Sequence, residues 1–366
     1  MAPLSLLIKP SSSKCNLQCR YCFYKDLTKD IETKGMMTIA VLEQLVKNAL
    51  EQADDFCNFA FQGGEPTLVK LEFYRKLVEF QIKYNYKNLK ISNCIQTNGI
   101  LIDNEWAKFF ADNNFLVGLS LDGNKEQNDL NRFDANKHGS YNDILSAVKL
   151  FDINHVKYNI LCVVTKNTAR HISKVYDFFK KNKFKYLQFI TCLDPLGEER
   201  GQRNYSLTPV LYGEFLKALF DMWYNNYISG DYISVRQFDN YINIIMGKWP
   251  DSCAMSGTCT CCNIVEADGS IYPCDFYVTE ELKLGNFQQN SFVEMQNSNK
   301  AQAFIAKSKV ISEQCGECQW YRLCRCGCMR DRKDNINYYC ESYKDFFHYA
   351  YSRMLEIARS LQFRNN

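Results

Sequence analysis

An α/β fold is predicted: a partial (β/α)6 barrel of the TIM type followed by a cysteine-rich C-terminal domain. Three observations carry it. Short β-branched apolar runs alternate with amphipathic segments from Ser5 to about Ile190. A C-x3-C-x2-C run, Cys15-Asn16-Leu17-Gln18-Cys19-Arg20-Tyr21-Cys22, follows closely on the first apolar run. Eleven of the eighteen cysteines then crowd between Asp251 and Cys340.

Strands are expected at Ser5–Lys9, Asn58–Phe61, Leu89–Thr97, Leu116–Leu121, Tyr158–Val164 and Tyr186–Ile190. Between them Leu42, Leu45, Val46 and Ala49 recur at i, i+3, i+4 and i+7, as do Ile172, Val175, Tyr176 and Phe179, so one face of each helix is apolar. Trp106, Phe109 and Phe110 mark another helix, with Asp103 as its N-cap. Strand and helix alternating six times imply a parallel sheet. Six units fall short of the eight that close a TIM barrel, which leaves an open one, and ligands of such folds gather at the C-terminal strand ends. The cysteine run lies on that side. After Ile190 the alternation stops. Helices are expected over Pro209–Tyr227 and Gln237–Gly247, and a last amphipathic helix runs through Phe347, Ala350, Tyr351, Met354, Ile357 and Leu361. The expected organisation is a barrel over 1–195, a helical linker over 196–250, a cysteine-rich domain over 251–341 and a terminal helix over 342–366.

Composition narrows the function. Of 366 residues 46% are hydrophobic and 14% aromatic, enough for a sizeable core. Mean hydropathy is −0.35 and no apolar run reaches membrane-span length. The opening Met1-Ala-Pro-Leu-Ser-Leu-Leu-Ile-Lys9 is apolar only briefly and has no basic start, so it reads as a strand and not as a signal peptide; a cytoplasmic location is expected. Net charge is 44 − 41 = +3 with no basic block, which argues against a nucleic-acid partner. Disulfide scaffolds are short secreted chains, so eighteen cysteines here point to metal or cluster ligation. The four histidines are isolated from one another.

Thiolates are soft ligands that select zinc, copper(I) or iron–sulfur clusters. A structural zinc wants four ligands, and after Cys15, Cys19 and Cys22 no histidine or cysteine follows until Cys57. A four-iron cluster on three thiolates instead leaves one iron open to another molecule. One strand later comes Gln62-Gly63-Gly64-Glu65-Pro66, where two glycines permit close backbone approach and Glu65 offers a carboxylate suited to a cationic amine. Alone, such a sequence reads more often as a turn. The next strands end in Gln96-Thr97-Asn98-Gly99 and Ser120-Leu121-Asp122-Gly123, and Arg132 follows.

The cysteine run and Gly-Gly-Glu-Pro together resemble the radical S-adenosylmethionine (SAM) enzymes. The resemblance implies that Cys15, Cys19 and Cys22 hold a [4Fe–4S] cluster. It further implies that Gly63, Gly64 and Glu65 receive the SAM amino group, while Ser120 and Arg132 meet its ribose and carboxylate. The pattern Cys253-x5-Cys259, Cys274, Cys315-x2-Cys318-x5-Cys324-x3-Cys328 and Cys340 resembles the SPASM extension of that superfamily. On this resemblance Cys253, Cys259, Cys274 and Cys328 hold one auxiliary [4Fe–4S] cluster, and Cys315, Cys318, Cys324 and Cys340 a second, three clusters in all. Cys261, Cys262 and Cys326 are extra cysteines in the same region, and zinc keeps a claim there because Cys315-x2-Cys318 resembles a zinc knuckle. Cys57, Cys94, Cys162 and Cys192, in or beside strands, are expected in the core.

Leu4–Pro10, Cys15–Tyr24, Phe59–Thr67, Gln96–Ile102, Phe115–Gly123, Asn159–Arg170, Leu187–Pro195 and Gly257–Phe276 together resemble the anaerobic sulfatase-maturating enzymes, the clostridial kind in particular. That resemblance implies radical oxidation of a sulfatase cysteine or serine to Cα-formylglycine. It implies Asp275 as catalytic base, Tyr24 and Gln62 at the substrate, and Leu193 against adenosine. The implied partners are an unfolded or nascent sulfatase polypeptide and a flavodoxin- or ferredoxin-like electron donor, with no nucleic acid and no membrane. A carboxylate near pKa 4 is a weak base toward a thiol near 8.5, so burial is expected to raise Asp275. The competing reading is a SPASM enzyme that crosslinks or epimerises a ribosomal peptide; such enzymes often carry a leader-recognition domain, and fourteen residues before Cys15 leave no room for one. Reconstituted protein is expected to hold about twelve irons per chain; bound zinc in their place would sink the cluster reading.

Overall fold

The strands form because their β-branched and aromatic residues alternate between a buried and a less buried face, as in Phe56–Phe61, where Cys57, Phe59 and Phe61 are buried. A computed structural model describes residues 3–27 and 34–364. All six expected strands form, with bounds shifted by at most two residues: β1 (Leu4–Ile8), β2 (Phe56–Phe61), β3 (Lys90–Thr97), β4 (Leu116–Ser120), β5 (Lys157–Val164) and β6 (Tyr186–Thr191). The α/β class with a parallel sheet is therefore the observed one.

The chain divides into two compact units, and neither is one continuous segment. The first comprises Met1–Leu121, Asn128–Asn159 and Cys261–Ala303; the second comprises Asp122–Gln127, Ile160–Thr260 and Phe304–Asn366. The sequence segments proposed above are continuous, whereas these units interleave. The physical reason is strand pairing. In the first unit β1, β2, β3 and β4 pair in parallel, from Leu4↔Cys57 to Thr97↔Leu119. On the free edge of β1 lies a short strand from far along the chain, β8 (Ile264–Val265), parallel and in register Leu7↔Ile264 and Ile8↔Val265. Strands β9 (Ser270–Tyr272) and β10 (Gly285–Asn286) continue antiparallel from it. At two or three residues each, these strands carry no readable periodicity, and the sequence reading missed them. In the second unit β5 pairs in parallel with β6, and β7 (Ser234–Val235) with β6.

Helices cover this framework with the apolar faces read from the sequence. Helix Ile39–Gln52 buries Leu42, Leu45, Val46, Ala49 and Leu50, and Thr38 caps it by accepting from the Val41 N–H. Helix Asn104–Asp112 is capped by Asp103, whose carboxylate accepts from the Trp106 N–H at 3.0 Å. The core of the first unit is an aromatic chain with centroid separations of 5.1 Å for Phe61–Tyr74 and 5.4 Å for Tyr74–Trp106, Trp106–Phe110 and Phe110–Phe115. In the second unit Phe220, Trp223, Phe238 and Phe346 join helices Pro209–Ile228, Arg236–Ile245 and Cys340–Arg364. Among the described residues no helix is long and apolar enough to cross a membrane.

Candidate active site

The cysteine loop leaves the C-terminal end of β1 through a turn at Pro10–Ser13 in which Ser12 is left-handed, with φ +51°. The Gly-Gly-Glu-Pro strap after β2 docks along it: the Gly64 N–H donates to Ser12 O at 2.8 Å and the Glu65 N–H to Lys14 O at 2.8 Å. No side chain fits between them, since a Cβ on Gly64 would meet Lys14 O at 2.0 Å and one on Gly63, at φ +117°, would meet Ser12 O at 2.7 Å. The two motifs are thus one structure. On its other side the loop is held by the Gln18 N–H to Phe133 O at 2.7 Å and the Arg20 N–H to Asn131 O at 3.0 Å.

Within the loop the Leu17 N–H donates to Cys15 Sγ at 3.3 Å, and Asn98 Nδ2 reaches Asn16 Oδ1 at 2.7 Å with Cys15 Sγ at 3.8 Å. Cys15 is exposed as a residue, yet its thiol is desolvated, and that pushes it up to about 12; burial also raises Cys22. Three thiols gathered in one loop, with Cys15 and Cys22 poor at losing protons to water, suit a site where a cation displaces the protons.

Glu65 is held from within the protein. Its carboxylate is 1% exposed. Oε1 accepts from Thr67 N at 3.1 Å, Thr67 Oγ1 at 2.7 Å and Thr97 Oγ1 at 2.7 Å, and Oε2 accepts from Asn98 N at 2.8 Å. Burial raises its pKa while these donors oppose the rise. Four protein donors hold the side chain that the sequence reading assigns to a cationic amine and fasten the strap to the end of β3, while Oε2, with a single donor, keeps acceptor capacity. Arg132 is not the solvated charge its isolation in sequence allows: it is 6% exposed, and Nη1 donates to the Tyr21 hydroxyl at 2.9 Å, within the cysteine loop. Ser120 closes β4 and is buried. Leu193, also buried, follows β6 in the second unit.

The ends of β1, β2 and β9 bring Asp275, Tyr24 and Gln62 together. Tyr24 donates its hydroxyl proton to Asp275 Oδ2 at 2.5 Å. Gln62 Nε2 donates to the same oxygen at 3.3 Å and to the Tyr24 hydroxyl at 3.1 Å. Asp275 Oδ1 is buried and makes no hydrogen bond. Two residues that the sequence reading missed complete the group. Lys9 Nζ lies 2.6 Å from Glu266 Oε1, 3.8 Å from Asp275 Oδ1 and 4.9 Å from the Tyr24 ring centroid. Lys9 and Glu266 are each 2% exposed. In sequence both look like surface charges; the only hint was that Lys9 directly follows a strand. Burial raises the Asp275 pKa above the usual carboxylate range, with the Lys9 ammonium and the Tyr24 hydroxyl pulling it down and Glu266 pushing it up. Burial, then the neighbouring carboxylate, keeps Tyr24 protonated.

Cys274, next to Asp275, belongs to the first unit. In the second unit Cys253 and Cys259 lie within electrostatic reach of Cys328. Arg332 ties that region by donating to Gly257 O at 2.7 Å, Gly327 O at 2.8 Å and Cys326 O at 3.1 Å. Cys315, Cys318, Cys324 and Cys340 line a single cavity walled by Trp320, Tyr321 and Tyr343, a donor set and setting suited to an iron–sulfur cluster. Cys57, Cys162 and Cys192 are buried, and Cys94 is half-buried.

Comparison with known proteins agrees with this arrangement. Residues 10–179 match the Radical SAM superfamily and residues 253–319 an iron-sulfur cluster-binding domain, SPASM. The chain is 52% identical to a cysteine-type anaerobic sulfatase-maturating enzyme of Clostridium perfringens over 99% of its own length and 100% of the relative's. It is 31% identical to a serine-type enzyme of Bacteroides thetaiotaomicron, over 95% and 89%. The solved structure of native anSMEcpe with bound AdoMet and Cp18Cys peptide superposes with a TM-score of 0.94 at 52% identity, covering 98% of this chain and 99% of that one. A strap locked to a three-cysteine loop, a second cysteine-rich region and full-length identity above half agree: the chain belongs to the anaerobic sulfatase-maturating enzymes of the radical SAM superfamily.

Proposed function

We propose that this protein oxidises the active-site cysteine of a sulfatase polypeptide to Cα-formylglycine, with Asp275 taking the substrate's proton. The observation that carries the reading is the Asp275 carboxylate, buried, with one oxygen held by Tyr24 and Gln62 and the other without a hydrogen bond. Cysteine is preferred over serine as substrate because identity is 52% to a cysteine-type relative and 31% to a serine-type one.

Cys15, Cys19 and Cys22 would hold the first cluster, with Gly63, Gly64, Glu65, Ser120, Arg132 and Leu193 around SAM. Cys253, Cys259, Cys274 and Cys328 would hold one auxiliary cluster, and Cys315, Cys318, Cys324 and Cys340 the other. When bound, SAM and the three clusters supply the radical that removes hydrogen from Cβ and the route by which the second electron leaves.

The chain's own residues handle position and protons. Tyr24 and Gln62 fix Oδ2, so Oδ1 is the oxygen left to accept. The raised pKa of Asp275 makes it a stronger base than a solvated carboxylate. Lys9 opposes the build-up of negative charge when Asp275 and Glu266 are both ionised, and so keeps Asp275 available as carboxylate. Arg132, anchored on Tyr21, is the cation proposed to pair with the SAM carboxylate. A flavodoxin- or ferredoxin-like donor in the cytoplasm would deliver electrons.

Anaerobic incubation of the reconstituted protein with SAM, reductant and sulfatase peptides bearing cysteine or serine, read by mass spectrometry, tests the reading. Aldehyde on the cysteine peptide is expected; no change on either peptide would favour the peptide-crosslinking alternative. Asp275→Asn is expected to keep 5′-deoxyadenosine formation while formylglycine falls steeply, and undiminished product would remove Asp275 as base. The working form of Asp275 is the carboxylate, so product formation should rise with pH through its pKa. Lys9→Met removes the cation that lowers that pKa and should move this acidic limb to higher pH, with Lys9→Arg restoring it. An unmoved limb in Lys9→Met would show that Lys9 does not tune the base.

A further inference from the structure

The second auxiliary site contains more thiols than a cluster needs. Cys326 lines the same cavity as Cys315, Cys318, Cys324 and Cys340, so five cysteines face a space in which four would complete a four-iron cluster. Cys326 is 2% exposed, which rules out a surface thiol. Its main chain is held in an unusual conformation. Arg325, Cys326 and Gly327 are consecutive left-handed residues with φ of +49°, +61° and +58°, a run costly to residues that carry a Cβ. The surroundings enforce it: Arg332 Nε and Asn337 Nδ2 both donate to Cys326 O, at 3.1 and 3.2 Å, and the Gly327 N–H donates to Cys324 O at 2.9 Å. The Cys326 thiol donates to Asn335 O at 3.4 Å and lies within electrostatic reach of the Cys315 thiol. Cys315 and Cys326 are therefore neighbours within the cavity.

We propose that Cys315 and Cys326 are interchangeable ligands for one iron of the second auxiliary cluster, so that the cluster survives the loss of either. The proposal rests on the reading that this cavity holds a cluster. Exchange breaks one iron–thiolate bond and forms another. The incoming thiol gives up its proton, the outgoing thiolate takes one, and neither total charge nor oxidation state changes. Trp320, Tyr321 and Tyr343 wall the cavity in which the exchange takes place.

The test is iron and sulfide content of the anaerobically reconstituted full chain, with electron paramagnetic resonance of the reduced clusters. Cys315→Ala and Cys326→Ala are each expected to retain about twelve irons, and the double variant to fall to about eight. Cys315→Ala falling to about eight with Cys326 intact would overturn the proposal while leaving the cluster reading in place. Wild-type protein without iron would overturn the cluster reading itself. Should Cys315→Ala not fold, Cys326→Ala decides alone. Under chelator challenge it should lose the second auxiliary cluster's signal severalfold faster than wild type, because a transiently open iron has no second thiolate to catch it; equal rates would overturn the proposal.

Discussion

Two residues of parallel pairing, Leu7↔Ile264 and Ile8↔Val265, are the constraint on which the catalytic arrangement depends. They lay a distant piece of chain on the edge of the first strand. The Lys9 N–H then donates to Val265 O at 2.8 Å, which sets Glu266 beside the Lys9 ammonium. The antiparallel return through Tyr272 delivers Cys274 and Asp275 to the same end of the sheet. Parallel strands must be joined by long connections, and here the connection spans most of the molecule's sequence. A two-residue strand that would be marginal alone is secured between β1 and β9 and by the buried Lys9–Glu266 pair; breaking such a pair strands a buried charge.

This dependence explains what was legible in the sequence. The six longer strands and the helical faces of Leu42, Leu45, Val46 and Ala49 carry their own periodicity, and they formed where expected. The cysteine run and the glycine strap were legible because thiolate spacing and paired glycines are local chemistry. Lys9 and Glu266 were not, because nothing local separates a buried ion pair from two surface charges; only the register of β8 on β1 brings them together. Glu65 shows a different limit. Its residue type suited an amine ligand, and Thr67, Thr97 and the Asn98 N–H also hold its oxygens. A side chain's chemistry was readable; its competition for partners was not.

The same competition gives the strap its rigidity. The fit of Gly64 against Lys14 O excludes even a methyl group, and the Glu65 carboxylate knits Thr67 and Thr97 to the strap from beneath. Every piece of this floor is backbone or a buried side chain with its hydrogen bonds made, which is how a site holds geometry without relying on mobile loops. The cysteine loop rests on it, and Arg132 closes the other side through Tyr21.

Asp275 follows Cys274 in the chain, so the proposed proton acceptor and a proposed auxiliary-cluster ligand are about 3.8 Å apart at their Cα atoms. Side-chain charges on adjacent buried residues lie near enough to couple. If Cys274 held a cluster, a proton taken up by Asp275 would cancel a negative charge near it, and added charge on the cluster would make the carboxylate a stronger base. One peptide bond would thus bind the two departures into a single proton-coupled redox event, in which neither particle is drawn from the substrate without easing the passage of the other.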